Sequence, residues 1–550
     1  MPGSSFVRHL GARRLGARLL ACARAKSAPT SLMSVLTMAG ALTLMLWPAL
    51  LNGFPIVFFD TGGYIEAAAD HKLVEGRSLA YGLFLQATSL NWRTLWGPVL
   101  AQSLLTLWML RHLSAGLMPN RGRTDAARDG AALLGLVAVL SLGTGMAWYS
   151  AQLMPDLAIP LVVGSLWLLA FRWAWLSWGQ RMGIAMVGVV GLLSHMSGMA
   201  LGGGLIVVLA AMKAAGMLTR HPRSWRTLRL LPATAMVLGS MLALPLLNGV
   251  VTGQARLTPG GPLFLFGSLL QQGQVRRLLD ERCAEDPHAY ALCRYRHRLP
   301  ATADEFLWGE ESPLVALGGW QGMAAEAGRI NLAVMRTYPL ALALSSLQAG
   351  VEQFFRVQSG DGLGEFHDST RAVMHRVLPA SEAAFLKADQ QSEGPTPGMA
   401  DLSNYLTVPL AFLALAALGA LIPQAVRRRD GVALGALVFL WAALAGNALI
   451  CGALSNPHDR YQNRLVWMVP VFALAIDRRL RQADGAQEVA APSPAPYASS
   501  PWFRLRRRLA RGVALPVVGA GADLVLPDIL APDIMVMDLA PVDLTGPQQP

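Results

Sequence analysis

The sequence predicts an all-α polytopic membrane bundle of about ten transmembrane helices, with a large and mostly helical extracytoplasmic region. Three observations carry that prediction. The chain has 550 residues, 53% hydrophobic and only 15% charged. Soluble domains carry roughly 25% charged residues, so this balance is too apolar for a surface wetted all round. Apolar stretches of about 17–25 residues, the length needed to cross a bilayer, recur along the chain. Between them the cations fall on alternate sides, the pattern by which basic loops hold a membrane protein's orientation in the cytoplasm.

The elements follow in order. A leader, 1–30, carries Arg8, Arg13, Arg14, Arg18, Arg24 and Lys26. The apolar stretch Leu32 to Leu51 is longer than a signal-peptide core and ends in Trp47-Pro48 without a small-x-small cleavage site. It reads as an uncleaved first helix with a cytoplasmic N-terminus. Further spans are predicted near 95–113, 130–147, 156–171, 182–195, 198–213, 230–248, 403–423, 432–452 and 464–477. Arg111, Arg121, Arg123, Arg128, Arg172, Arg181, Lys213, Arg220, Arg223, Arg226 and Arg229 fall on one side, as do Arg427-Arg428-Arg429 and Arg478-Arg479. The turns near 148–156 and 194–197 carry no Lys or Arg. The net charge of +12 therefore belongs with membrane orientation and not with nucleic acid. The chain divides into an N-terminal transmembrane module, 31–250, with a first outer loop 52–92. An extracytoplasmic region, 251–401, a C-terminal transmembrane module, 402–480, and a cytoplasmic tail, 481–550, follow. The tail is rich in Ala, Pro and Ser, then basic from Arg504 to Arg511, and reads as disordered. A bacterial inner membrane is the expected location, with both termini in the cytoplasm.

Within the outer region, 330–347 is apolar enough for a span. Crossing there would invert the side of Arg427-Arg428-Arg429, so it is expected to be interfacial or packed on the bundle. The four cysteines of the chain provide neither a disulfide framework nor zinc-ribbon spacing. Cys283 and Cys293 both lie in the outer region, where an oxidising compartment favours a disulfide worth about 2–3 kcal/mol; two buried thiols are the alternative.

Ionisable groups at membrane depth are costly, so those that persist tend to line cavities or meet ligands. Four positions stand at the outer ends of the helices. Asp60 follows Phe54-Pro55-Ile56-Val57-Phe58-Phe59, Asp156 follows Leu153-Met154-Pro155, and His195 sits in Leu193-Ser194-His195-Met196-Ser197. The fourth is Asn456-Pro457-His458-Asp459-Arg460-Tyr461. An open pocket on that face would explain all four. Each also has a plain structural reading. Asp60 and Asp156 would serve as helix caps, His195 as an interface hydrogen-bonder, and Asp459-Arg460 as a local ion pair. Arg460 beside Tyr461 also suits an anionic lipid headgroup. Glu66, Asp70, His71 and His367 read as surface residues.

A first helix, an outer loop opening Phe59-Asp60-Thr61-Gly62-Gly63-Tyr64, a following amphipathic helix near 64–73 and the stretch Leu79-Ala80-Tyr81-Gly82-Leu83-Phe84-Leu85 together resemble the GT-C class of polytopic glycosyltransferases. That class includes protein mannosyltransferases and lipid A aminoarabinose transferases. Met154-Pro155-Asp156 and Asp459-Arg460-Tyr461 match it loosely, and the resemblance covers about 30–250 and 400–480. It implies inverting transfer of a sugar from a polyprenyl-phosphate carrier, on the outer side of the membrane. On that resemblance Asp60 is the general base, and Asp156, Tyr64 and His195 contact the acceptor or substrate. Arg460, Tyr461 and His458 hold the carrier phosphate. The loop departs from the class in reading Asp60-Thr61 instead of a paired Asp-Glu. No outer motif demands a metal, so no cofactor is expected, with a divalent ion as the weaker alternative. The expected partners are the lipid-linked sugar and membrane lipid; the oligomeric state is not legible. Two other functions fit the same features. One is a transporter or flippase for a lipid-linked precursor, which would show internal repeats. The other is a non-catalytic assembly component using the outer region.

Overall fold

A computed structural model describes residues 28–118, 126–219, 222–366, 369–392 and 394–485. The basic leader, Arg121, Arg123, Arg220, His367 and the tail from 486 onward lie outside the described residues. Among the described residues the fold is all-helical, the one exception being an isolated bridge between Ile56 and Gln152.

A helix stands at each of the ten predicted windows, from Ala28–Asn52 through Trp96–Leu117, Ala126–Gly143 and Ala158–Phe171 to Met468–Gly485. Five of the described helices are long and apolar enough to cross a membrane: Met33–Asn52, Met196–Thr219, Leu230–Thr252, Thr396–Arg427 and Gly431–Leu454. The chain is thus an integral membrane protein by composition and helix length. The others are shorter or carry more polar residues, because their apolar faces are spent on neighbours: in Ala158–Phe171 every residue from Ile159 to Ala170 is buried. Helix ends follow local chemistry. Ser177 and Gln180 form a capping box at the start of Trp178–Ser194. Asp430, directly after Arg427-Arg428-Arg429, accepts from the Val432 and Ala433 amides and starts Gly431–Leu454. The last helix continues to Gly485, five residues past the boundary expected from sequence.

The apolar stretch 330–347 spans two helices. Gly319–Thr337 ends at Tyr338-Pro339, and Pro339–Phe355 leaves at 104°. A proline cannot continue the preceding hydrogen-bond ladder, so the bend falls there. The second helix packs along Gly431–Leu454, with Gly350 against Leu449 and Gly452 against Ala349. The expected packing on the bundle is what this half adopts.

The predicted outer region has two parts with different cores. Residues from Leu263 to Tyr338 enclose their own apolar cluster, stapled by a disulfide between Cys283 and Cys293. Farther along, Phe366, Met374, Leu378 and Phe385 pack instead with Phe54, Val57, Phe58 and Tyr64 of the first loop. The helix after Asp60 runs Thr61–Ala69, shorter than the expected 64–73, and is mostly buried instead of lying along a membrane surface. Its small residues explain the difference. A Cβ on Gly62 would stand 3.1 Å from Thr370, and one on Gly82 of the next helix would stand 2.3 Å from the Tyr64 carbonyl. The helices Thr61–Ala69, Leu79–Thr88 and Ser369–Val377 meet at these glycines.

Loop 52–60 is held by backbone bonds to two distant segments. Ile56 donates to the Ala151 carbonyl (3.0 Å) and Leu153 donates to that of Ile56 (2.8 Å). The Gln390 side chain pairs both ways with Val57, accepting at 3.1 Å and donating at 2.9 Å. Removing it in Gln390→Ala strands a buried amide and a buried carbonyl, each costing about 1–3 kcal/mol. Thermal melts of the purified protein should show a clear loss of stability, and an unchanged melt would mean that this clasp contributes nothing.

Candidate functional site

The clasp between Ile56 and 151–153 holds the first outer loop against the turn that leads to Asp156. Thr61 Oγ1 reinforces it, accepting from the Phe58 amide (2.8 Å) and donating to the Leu153 carbonyl (3.2 Å). Asp60 precedes the helix Thr61–Ala69, yet its side chain makes no capping bond. Its carboxylate faces two guanidiniums instead, Arg77 at 2.6 Å and Arg460 at 3.9 Å. The cap reading of Asp60 therefore falls.

Arg460 lies on the short helix Asp459–Val466, one turn before Arg464. Arg464 is wholly buried (0% exposed), as is Asp156 (2%), and the two pair at 2.9 Å. Its terminal nitrogens also reach His195 Nε2 (3.0 Å), Ser197 Oγ (2.9 Å) and Asn447 Oδ1 (3.2 Å), while Nε is buried without a hydrogen bond among the described residues. His195 Nδ1 stands 2.9 Å from Ser197 Oγ and 3.3 Å from the Ser197 amide nitrogen. His195 is thus an interface hydrogen-bonder, the plain reading of that residue, and it orients the arginine that holds Asp156. Asp60 approaches Arg460 at 3.9 Å, and Arg464, one turn after Arg460, holds Asp156 at 2.9 Å.

The Arg460 guanidinium is packed between rings, with Phe58 at 4.3 Å and Tyr461 at 4.8 Å. Nη2 donates to the Tyr461 hydroxyl at 3.0 Å. Nε and Nη1 are buried without a hydrogen-bond partner among the described residues. Arg460 also lines a narrow cleft together with Ile56, Trp148, Tyr149, Gln152, Asp361 and Leu363. Tyr149 donates to the Arg460 carbonyl at 3.1 Å, tying the loop after Gly145 to this helix. A shallow, mainly apolar groove runs among Tyr81, Phe84, Leu105, Met154, Leu161 and Val190, and is also lined by Pro155 and Leu157, the chain neighbours of Asp156.

Asp361 arrives on the loop Ser359-Gly360-Asp361-Gly362. Gly360 (φ 92°) and Gly362 (φ 71°) both hold left-handed backbone. A Cβ at Gly362 would stand 2.1 Å from the Phe58 ring. Only glycines let this loop close onto the Arg460 platform.

Two expectations are redirected. His458 was expected to hold phosphate, but its ring nitrogens face carboxylates, Asp304 at 3.2 Å and Asp361 at 3.4 Å. Burial depresses its pKa, and the two carboxylates outweigh that and raise it to about 9. His458 is therefore a cationic link between the outer region and the last loop. The expected local pair of Asp459 with Arg460 is also absent: Asp459 accepts from the Gln358 amide at 2.9 Å, with Arg356 at 3.9 Å. Tyr64 is buried one turn after Asp60, its ring 5.0 Å from that of Tyr81, so it forms a wall below the carboxylate. Sequence reasoning missed Arg464, Arg77 and Asp361. Arg460 and Arg464 at i,i+4 beside a membrane helix were the available signal for the first. Among the described residues no group of three or more His, Cys, Asp or Glu could hold a metal ion.

No family model matches the chain, and no curated protein matches it. A solved structure similar to it is that of ArnT from Cupriavidus metallidurans bound to undecaprenyl phosphate. The alignment covers 85% of this chain and 82% of that chain at 16% identity, with a TM-score of 0.28.

Removing either partner of the Asp156–Arg464 pair leaves an uncompensated buried charge, at a cost of about 3–5 kcal/mol. Asp156→Leu and Arg464→Met should each be strongly destabilising in denaturant titrations, and the double variant should recover much of the loss. Additive losses would contradict a direct pair. For His458 the folded pKa lies above the ordinary value of 6.5. Its contribution to stability is then full below about pH 6.5 and lost as pH rises through about 9. A melting profile over that window should slope for the wild type and lose this step in His458→Asn; identical slopes would remove His458 as the titrating group.

Proposed function

We propose that the chain is a membrane glycosyltransferase that moves a sugar from a polyprenyl-phosphate carrier to an acceptor hydroxyl. In this reading all ten helices at the predicted windows cross the membrane. The Asp60 face lies outside the cytoplasm, in a bacterial inner membrane. The observation that carries the reading is a carboxylate, Asp60, 3.9 Å from a buried arginine, Arg460, that lines a cleft and has two nitrogens without a hydrogen bond among the described residues.

Those two groups meet the opposite needs of the reaction. A phosphate leaving group requires a fixed cation, and arginine in a desolvated ring sandwich supplies one that cannot lose its charge. The attacking hydroxyl requires a base within hydrogen-bond reach, and Asp60 is the carboxylate beside that cation. The acceptor oxygen attacks the anomeric carbon and its proton passes to Asp60. The bond between that carbon and the phosphate oxygen breaks, and its electron pair leaves with the carrier phosphate, held by Arg460. Attack opposite the leaving group inverts the anomeric centre. The groove beside Asp156 suits the first isoprene units of the carrier. The chemistry as written uses no metal.

The test compares cells carrying wild type, a deletion, or Asp60→Asn at equal protein levels. Loss of the base should cost about 10²–10⁴-fold in rate. The polyprenyl-linked donor should then accumulate, and a surface glycan should lose a sugar, in both the deletion and Asp60→Asn. If Asp60→Asn behaves as wild type, the transferase mechanism built on Asp60 is wrong.

A further inference from the structure

The helix Pro339–Phe355 has two unlike faces. Ala349, Gly350 and Gln353 are buried against the bundle. Opposite them Leu340, Leu344, Leu347, Val351 and Phe355 recur at helical spacing and form one stripe, each more than half exposed. Glu352 is the single ionisable residue of the helix, and Arg356 pairs with it at 2.6 Å. An apolar stripe of this length marks a surface that something other than water covers.

Two points along the helix are tied to the same end of the neighbouring span. Ser345 Oγ donates to Gln272 Oε1 at 2.7 Å, and Gln272 donates in turn to the Ala453 carbonyl at 3.3 Å. Farther along, Gln353 pairs both ways with His458, donating to its carbonyl at 2.7 Å and accepting from its amide at 2.9 Å. Ala453 and His458 stand on either side of the C-terminus of Gly431–Leu454, so the helix lies across that end. The bend before it is fastened to the outer core. The Tyr338 hydroxyl bonds to Glu281, and the Arg277 guanidinium stands 4.3 Å from the Tyr338 ring.

The stripe is continuous with apolar surface on two helices that are long enough to cross a membrane. A Cβ on Gly350 would stand 3.1 Å from Leu449 of Gly431–Leu454, and Leu449 is itself 45% exposed. Phe355 stacks at 6.2 Å on Phe412, about half-way along Thr396–Arg427 and also partly exposed. We propose that Pro339–Phe355 is seated in the leaflet at that end of the spans without crossing the bilayer, its stripe covered by lipid acyl chains. Exposed Leu332, Met335 and Arg336 stand on the last turns before the bend, two apolar contacts and a cation suited to a headgroup phosphate. The seat also bears on the site. Just after the helix the Gln358 amide donates to Asp459 at 2.9 Å, and Asp361 accepts from the Arg460 amide at 3.2 Å. A lipid-seated helix thus delivers the loop that holds Arg460. Lipid contact here is independent of any transfer chemistry at Asp60.

Spin-label EPR on the full chain in phosphatidylcholine–phosphatidylglycerol nanodiscs tests the seat. Nitroxides are placed in turn at Leu344→Cys, Leu347→Cys and Val351→Cys. Cys22→Ser removes the leader's thiol, while Cys451 is buried and Cys283 is joined to Cys293. Leu413→Cys, exposed on the span Thr396–Arg427, is the lipid reference, and Glu310→Cys, exposed in the outer region, is the water reference. Oxygen partitions into acyl chains, so its collision rate at each stripe position should match that at Leu413→Cys. Collision with a water-soluble nickel chelate should fall well below the Glu310→Cys value. Nickel collision at the Glu310→Cys level would leave the stripe in water and overturn the proposal. Low collision with both reagents would mean that protein, such as a second copy of the chain, covers the stripe, and would overturn it equally. The three side chains are exposed and share one face, so a folding defect in one variant leaves the other two to decide.

Discussion

The site depends on one buried guanidinium. Arg464 has no access to solvent, and its terminal nitrogens reach the Asp156 carboxylate, His195, Ser197 and Asn447. Those partners come from three separate parts of the chain: the second outer turn, the helix junction at 195–197 and the helix Gly431–Leu454. A charge in such a place is tolerable only with a carboxylate and several acceptors around it. Once it is satisfied, the helix Asp459–Val466 has a fixed rotation. Arg460, one turn earlier, then points at Asp60. Asn447 completes the arrangement by donating to the Tyr461 carbonyl at 2.7 Å and to the Gln462 side chain at 2.8 Å.

The charges balance as a set. Arg77, Arg460, Arg464 and protonated His458 stand against Asp60, Asp156, Asp304 and Asp361. A neutral sum lowers the cost of collecting eight ionised groups beside membrane helices. It also separates their duties. Asp156 and Arg464 bond directly at 2.9 Å inside the protein, whereas the Asp60–Arg460 approach of 3.9 Å is longer than a hydrogen bond. The inner pair is a fastening. The outer pair retains capacity for another partner.

The positions of the helices were legible because membrane physics writes them into the length of apolar runs. Asp60, Asp156, His195 and Arg460 were legible for the same reason: an ionisable residue at the end of an apolar run is conspicuous. What could not be read was pairing. Nothing local to Arg464 says that its carboxylate lies 308 positions earlier. His458 resembled a phosphate ligand until Asp304 and Asp361, both from the outer region, were seen to face its two nitrogens. The second half of that region was assigned to one domain with the first because both are polar. Its Phe366 and Phe385 in fact complete the core of the first loop, a contact across more than three hundred residues for which periodicity offers no signal.

The geometry also constrains how the proposed chemistry would be timed. Asp60 is shared between Arg77 at 2.6 Å and Arg460 at 3.9 Å, and a base so placed has its lone pairs directed at cations. A dianionic or monoanionic phosphate arriving at the free nitrogens of Arg460 competes for that guanidinium, because charge-assisted bonds to phosphate are the stronger use of arginine. On the proposed reading the carrier would thereby take over the weaker of the two claims on Asp60. The carboxylate then remains anchored by Arg77 alone, and one of its oxygens is released toward the cleft. Donor binding would come first and prepare the base, and an acceptor hydroxyl arriving earlier would meet a carboxylate still occupied by both arginines. The order follows from two unequal distances on a single side chain.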